Sequence, residues 1–143
     1  MLVVDTSVAI KWVVPEDGID LEPDTAIALS VLEHGLIAPD LIAAEFGNAL
    51  WKKVSRREIG EAQAMEAMDV LPTIVSLLPM DAYAKRALEI SLRLDHPMYD
   101  CLFIAVAEAH ATNLITADRR LVERAAASIF GPLVMDLGSQ EWL

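Results

Sequence analysis

A single cysteine, Cys101, occurs in the chain, so no internal disulfide can form and the fold must rest on packing. Long apolar runs are missing too. The longest stretches without a charged side chain are 11 residues, 70–80 and 125–135, and each contains proline. Neither can span a bilayer, so no membrane association is expected. No basic segment precedes an apolar one near Met1, so no secretory leader is expected, and the lone thiol points to a cytoplasmic protein. Bases are scarce: 11 Lys and Arg stand against 22 Asp and Glu, a net charge of −11. This excludes a general nucleic-acid clamp with a basic surface. It leaves open an enzyme that grips nucleic acid through metal ions and a few local bases. His34, His96 and His110 have no metal-ligand spacing and read as surface or capping residues. There is no Gly-rich phosphate loop, GxSxG, HExxH, internal repeat or low-complexity segment.

What is present is a large apolar fraction, 55% of 143 residues. One domain spanning 1–143 is expected, burying about two-thirds of its unfolded surface. The strand signals are short, apolar and without polar alternation, as in a parallel sheet covered on both faces. They fall at 2–4, 36–38, 73–78, 113–117 and 132–137. Helices are expected at 8–14, 24–33, 40–57, 58–71, 81–94, from Pro97 through 107, and from Arg119. Pro72 is expected to stop the fourth of these. The alternation points to an α/β fold. The segment 16–23 reads as an acidic, exposed loop.

Charge is uneven. Residues 1–50 hold nine Asp and Glu but one base, Lys11. The other bases are grouped at 52–57, 85–93 and 119–124. Such an acidic body suits a cation, a basic protein partner, or both.

Four carboxylates share a character. Asp5 and Asp118 each end a buried strand and precede a helix; Glu45 flanks the apolar stripe of a long helix; Asp100 opens a helix that is apolar on every side from Cys101 to Ala107. Three of them have a plainer reading. Asp5 and Asp100 suit helix N-termini, and Glu45 suits an ion pair on a helix flank. In a parallel sheet, however, equivalent strand ends share one edge, where ligands bind. Four acids gathered there would repel and take up protons unless a cation neutralised them. Oxygen ligands without Cys or His suit Mg2+ or Mn2+ rather than Zn2+. Such ions support phosphodiester hydrolysis by activating water. Asn48, Lys52 and Arg56 continue the Glu45 column at helical spacing. Lys52 and Arg56 fit either phosphate contacts or a helix C-terminus.

The motifs VVDTSVAIKW, APDLIAAEFGNAL, YDCLFIAVA and LITADRRL occur in this order along the chain. With them the sequence resembles the PIN-domain family, and within it the VapC-like toxins of toxin–antitoxin pairs. The resemblance implies a three-layer α/β fold with a central, mainly parallel sheet of about five strands. It implies a Mg2+- or Mn2+-dependent endoribonuclease whose acidic metal-binding residues match Asp5, Glu45, Asp100 and Asp118. Thr6 or Ser7, and Thr116, match hydroxyls that support the cluster; Asn48 matches a frequent polar neighbour. Some relatives carry a further acid where this chain has Arg119 and Arg120. Arg119 joins Asn48, Lys52 and Arg56 as an expected substrate contact. RNA, a VapB-type antitoxin and a second copy of the chain are the implied partners. A catalytically silent PIN-fold binding module remains an alternative. A receiver domain or a haloacid-dehalogenase-type phosphatase fits less well: the latter needs a second Asp two residues after the first, where Ser7 stands.

Overall fold

The computed structural model describes residues 1–143. Five short strands form one wholly parallel sheet: β1 (Leu2–Val4), β2 (Leu36–Pro39), β3 (Val75–Leu78), β4 (Leu114–Thr116) and β5 (Val134–Asp136). Their order is β3-β2-β1-β4-β5. The chain thus moves outward from β1 in one direction, then returns to build the other half from β4. The reversal opens a crevice at the carboxyl ends of β1 and β4, where open α/β sheets bind ligands. Val3 pairs with Ile37 on one side and Leu114 on the other.

Parallel strands need crossovers, and helices supply them. They are α1 (Thr6–Ala9), α2 (Thr25–Ser30), α3 (Leu41–Ser55), α4 (Glu61–Ile74), α5 (Ala84–Leu94), α6 (Met98–Ala109) and α7 (Arg119–Ala126). The all-apolar run of α6 is buried from Cys101 to Ala107, as expected of a helix without a polar face, and lies against β1, β2 and β4. One contiguous cluster joins strand residues such as Val3, Ile37 and Ile115 to Ile42, Phe103 and Leu121 on the helices. Burial pushes the Cys101 thiol up to about 11, so this cysteine is inert packing.

The expected α/β architecture is present, with shifted boundaries. Asp5 caps α1, so that helix starts at Thr6 rather than Val8. It passes into a 3-10 turn ending at Trp12, because Val14 precedes Pro15 and is disfavoured in a helix. Pro72 does not stop α4, which runs on to Ile74 and takes the first residues expected in β3. Proline's φ is compatible with a helix, and Pro72 deletes one hydrogen bond near its end. Packing offsets that loss: Leu71 is buried, and the Met68 sulfur would lie 3.5 Å from a Cβ added to Gly47 on α3. Met80–Tyr83 forms a 3-10 prelude, and α5 begins at Ala84.

The acidic loop is not wholly a solvated face. Residues 16–21 are exposed, but Glu22 turns inward. Its carboxylate lies 2.9 Å from Lys53 Nζ and 3.9 Å from Lys11 Nζ, both lysines being buried. Lys11 also donates to Pro23 O at 2.7 Å. Buried ammonium groups require such partners, and these contacts tie the loop to α3.

Candidate active site

The crevice is built from a buried carboxylate outward. Asp5 follows β1 with extended backbone and caps α1. The capping reading of Asp5 is therefore correct, and it does not exhaust the residue's role. Its side chain is 6% exposed. Oδ1 accepts from Ser7 Oγ at 2.5 Å and from the Val8 N–H at 3.4 Å; Oδ2 accepts from Thr116 Oγ1 at 2.5 Å. Each hydroxyl has one proton and gives it to Asp5. Each then accepts a backbone N–H from the end of β4: Ala117 N to Ser7 at 2.9 Å and Asp118 N to Thr116 at 3.1 Å. The 3.2 Å between the two hydroxyl oxygens is thus a close approach without a proton of its own. Asp5, Ser7 and Thr116 lock the two halves of the sheet together where the strand order reverses.

A third hydroxyl pins a second acid. Thr6 Oγ1 donates to Glu45 Oε1 at 3.1 Å, tying α1 to the long helix α3. Of the two residues offered as one supporting hydroxyl position, both serve, on different acids. Asp100 lies in the first turn of α6, half-buried, with Oδ2 2.6 Å from His96 Nε2.

Electrostatics shows which acids meet. Burial pushes Asp5 up to about 6, against the pull of the Ser7 and Thr116 hydrogen bonds, and the Asp100 charge adds to the rise. Glu45 is raised as well, first by burial, with Thr6 opposing and Asp100 again adding. Asp5, Glu45 and Asp100 therefore share one field of like charge. Asp118 is placed differently. It caps α7, Oδ1 accepting from Arg120 N at 3.0 Å and Leu121 N at 3.3 Å, and it is absent from the charges that raise the other acids.

The donor set fits a hard divalent cation in chemistry: carboxylate and hydroxyl oxygens, two acids raised first by burial and further by the Asp100 charge, and a Cys101 thiol that stays protonated. No three His, Cys, Asp or Glu side chains converge tightly enough to hold one ion between them. Mg2+ does not require that, since it keeps several waters and binds through one or two carboxylates. Asp5 and Asp100, or Glu45 and Asp100, would serve.

Asn48 and Lys52 are exposed on α3 beyond Glu45, Arg56 is exposed at the cap just past that helix, and Arg119 is exposed at the start of α7. Lys52, Arg56 and Arg119 form no ion pair within the chain, unlike Lys53. His96 departs from the reading of the histidines as surface or capping residues. It is 6% exposed and bonded to an acid of the cluster. The signal was its position four residues before Asp100, one helical turn, obscured by the intervening Pro97. His34 and His110 conform better, half-exposed against Trp142 and exposed beside Tyr83.

The family profile of the PIN domain matches residues 2–127. Ribonuclease VapC3 of Pyrobaculum aerophilum is 31% identical over 131 residues, which span 90% of this chain and 97% of that protein. Ribonuclease VapC1 of Mycobacterium tuberculosis is 38% identical over 86 residues, 59% of this chain and 63% of that protein. Among solved structures, PAE2754 from Pyrobaculum aerophilum is similar in fold, with a TM-score of 0.67 at 22% identity over 96% of this chain and 90% of that one.

A carboxyl whose pKa is raised by folding binds its proton more tightly folded than unfolded. The cation-free protein therefore loses stability as pH rises from Asp5's ordinary 3.8 through about 6, and levels off above. The cost at pH 7.5 is about 3 kcal/mol. In EDTA, Asp5→Asn should raise Tm by several degrees at pH 7.5 and by little at pH 4. Thermal melts at the two pH values check this; an unchanged or lower Tm for the variant at pH 7.5 contradicts it.

Proposed function

The chain belongs to the PIN domain family, and from that premise we propose that it is a Mg2+- or Mn2+-dependent endoribonuclease, the toxin of a VapBC-type module. One observation carries the reading. Asp5, Glu45 and Asp100 come from three different elements to the switch point of a parallel sheet, where burial disfavours the charge of Asp5 and Glu45 and the Asp100 charge adds to it. Folding accepts that cost, and a bound cation removes it.

Asp5 and Asp100, with Glu45 beside them, are the residues that would hold the cation. When bound, it supplies Lewis acidity, lowering the pKa of water and offsetting phosphate charge. The remaining roles belong to the chain. Ser7 and Thr116 fix Asp5 so that no reorganisation is needed during reaction. Thr6 occupies Glu45 Oε1, leaving Oε2 to take a proton from the attacking water. Asp118 supports the edge by capping α7 and tying that helix to Thr116. Lys52, Arg56 and Arg119, with Asn48, bind RNA phosphates leading from the cut bond. The VapC names of the two relatives support RNA as substrate and a VapB-type antitoxin as partner. The net charge of −11 suits an antitoxin with a basic segment. The unit is a single domain over 1–143, acting in the cytoplasm as a homodimer.

Purified protein incubated with a mixed pool of structured RNAs, tRNA included, should cut at a few discrete sites with Mg2+ or Mn2+ and not with EDTA. Asp5→Asn and Asp100→Asn should each lower the rate by about 100-fold or more while keeping native circular dichroism. Full activity in both variants overturns the assignment; neither cleavage nor metal binding by the wild type favours the silent binding module.

Lys52→Ala and Arg56→Ala should leave metal affinity unchanged and weaken RNA binding at all sequences alike. Each should lower the slope of log K against log salt by about one. Filter binding across a salt series with Asp5→Asn as the shared background reads this directly. An unchanged slope removes both residues from the RNA path.

A further inference from the structure

His96 has no part in the reading above, yet it is the most constrained polar group near the acids. Its ring is buried while Asp100, its partner, is 31% exposed in the side chain. The backbone of His96 is held at both polar groups. Its N–H donates to Ser91 O at 3.3 Å, and its carbonyl accepts from Ser91 Oγ at 2.5 Å and faces Cys101 Sγ at 4.0 Å. Asp95 before it is left-handed, with φ of 51°, and Pro97 after it has fixed φ. The connection between α5 and α6 is thus shaped to place this one ring.

The ring makes a single polar contact, Nε2 to Asp100 Oδ2 at 2.6 Å; no protein group lies within hydrogen-bond reach of Nδ1. A carboxylate oxygen only accepts, so Nε2 carries the proton and donates. A proton on Nδ1 would be a buried donor without an acceptor, which is costly. The geometry therefore selects the Nε2–H tautomer.

Asp100 shows why this matters. An aspartate in the first turn of a helix is drawn to the free backbone N–H groups there. No backbone N–H reaches the Asp100 carboxylate in this structure; His96 does. Oδ2 is thereby taken and Oδ1 left without a protein partner. We propose that His96 is a positioning residue: its Nε2–H holds the Asp100 carboxylate away from its own helix terminus and beside Asp5 and Glu45, presenting Oδ1 as a ligand for the cation. This assignment rests on the metal-dependent reading above and deepens it. Hydrogen bonds that orient ligating groups in this way are worth about 10- to 100-fold in metal affinity.

The test combines two readouts. In cation-free protein, two-dimensional 15N–1H spectra of the histidine rings report the tautomer. The expected pattern for His96 is a protonated Nε2 and an unprotonated Nδ1; a dominant Nδ1–H tautomer overturns the proposal whatever the variants do. Calorimetric titration with Mn2+ then compares wild type, His96→Leu and His96→Gln, each checked by thermal melting. His96→Leu, which fills the space without a donor, should bind Mn2+ about 10- to 100-fold more weakly. His96→Gln, whose amide reaches Asp100 with an N–H, should recover affinity to within about threefold. Equal affinity in wild type and His96→Leu overturns the role of His96 alone. Failure of the wild type itself to bind Mn2+ overturns the metal-dependent reading and this assignment with it. If His96→Leu does not fold, the tautomer and the affinity of His96→Gln decide, and a Gln variant as weak as an Asp100→Asn control counts against the proposal.

Discussion

The structure depends on a buried negative charge at the centre of its sheet. Asp5 ends the middle strand and is almost sealed from solvent. A carboxylate in such a place is unfavourable unless hydrogen bonds compensate. Ser7 and Thr116 provide them, one from each half of the sheet. The same two hydroxyls accept the first backbone N–H groups beyond β4. The charge, its compensation and the closure of the topological crevice are thus one network. That is why the opening turn of the chain can be very short. Val4 leads into Asp5, and α1 begins at Thr6 with no intervening loop.

Compensation is incomplete. Asp5 and Glu45 both remain raised, and Asp100 contributes to each. A protein selected only for stability would replace one of these acids by a neutral residue. Retaining three in a low-dielectric crevice is a standing cost that the proposed divalent cation would convert into affinity. Of the 11 bases, only Lys11, Lys53 and Arg86 form ion pairs within the chain, and Lys52, Arg56 and Arg119 are among those that do not. An acidic protein with a few free cations disfavours nonspecific binding to nucleic acid and keeps phosphate contacts local.

Much of the fold was legible in the sequence because the strands are buried on both faces. Leu2–Val4, Leu36–Pro39 and Leu114–Thr116 carry no polar side chain until their final residue or beyond, and no helix of comparable length would be needed to bury them. Asp5 and Glu45 were legible for a related reason: charged residues adjoining apolar runs need a partner. The remaining features were set by contacts distant in sequence. Pro72 stays inside α4 because α3 packs closely against it, which local propensity does not encode. Glu22 turns inward to lysines on two separate elements. Asp118 shares the strand–Asp–helix pattern of Asp5, but only its Oδ1 is engaged, by the backbone of its own helix, and no hydroxyl is bonded to it, so similar patterns carry different contacts. His96 was obscured because burial of its ring is decided by the packing of α5 on α6, not by its neighbours in the chain.

The central claim is that the carboxylates at the β1–β4 crevice form the cation site, rather than the acidic surface in general. Anomalous diffraction from crystals soaked in Mn2+ tests it most directly. The account predicts one dominant peak in the crevice at the carboxylates of Asp5 and Asp100, with Glu45 beside them, lost in Asp5→Asn crystals. Dominant peaks confined to the exposed acidic residues 16–21, with none in the crevice, would contradict it.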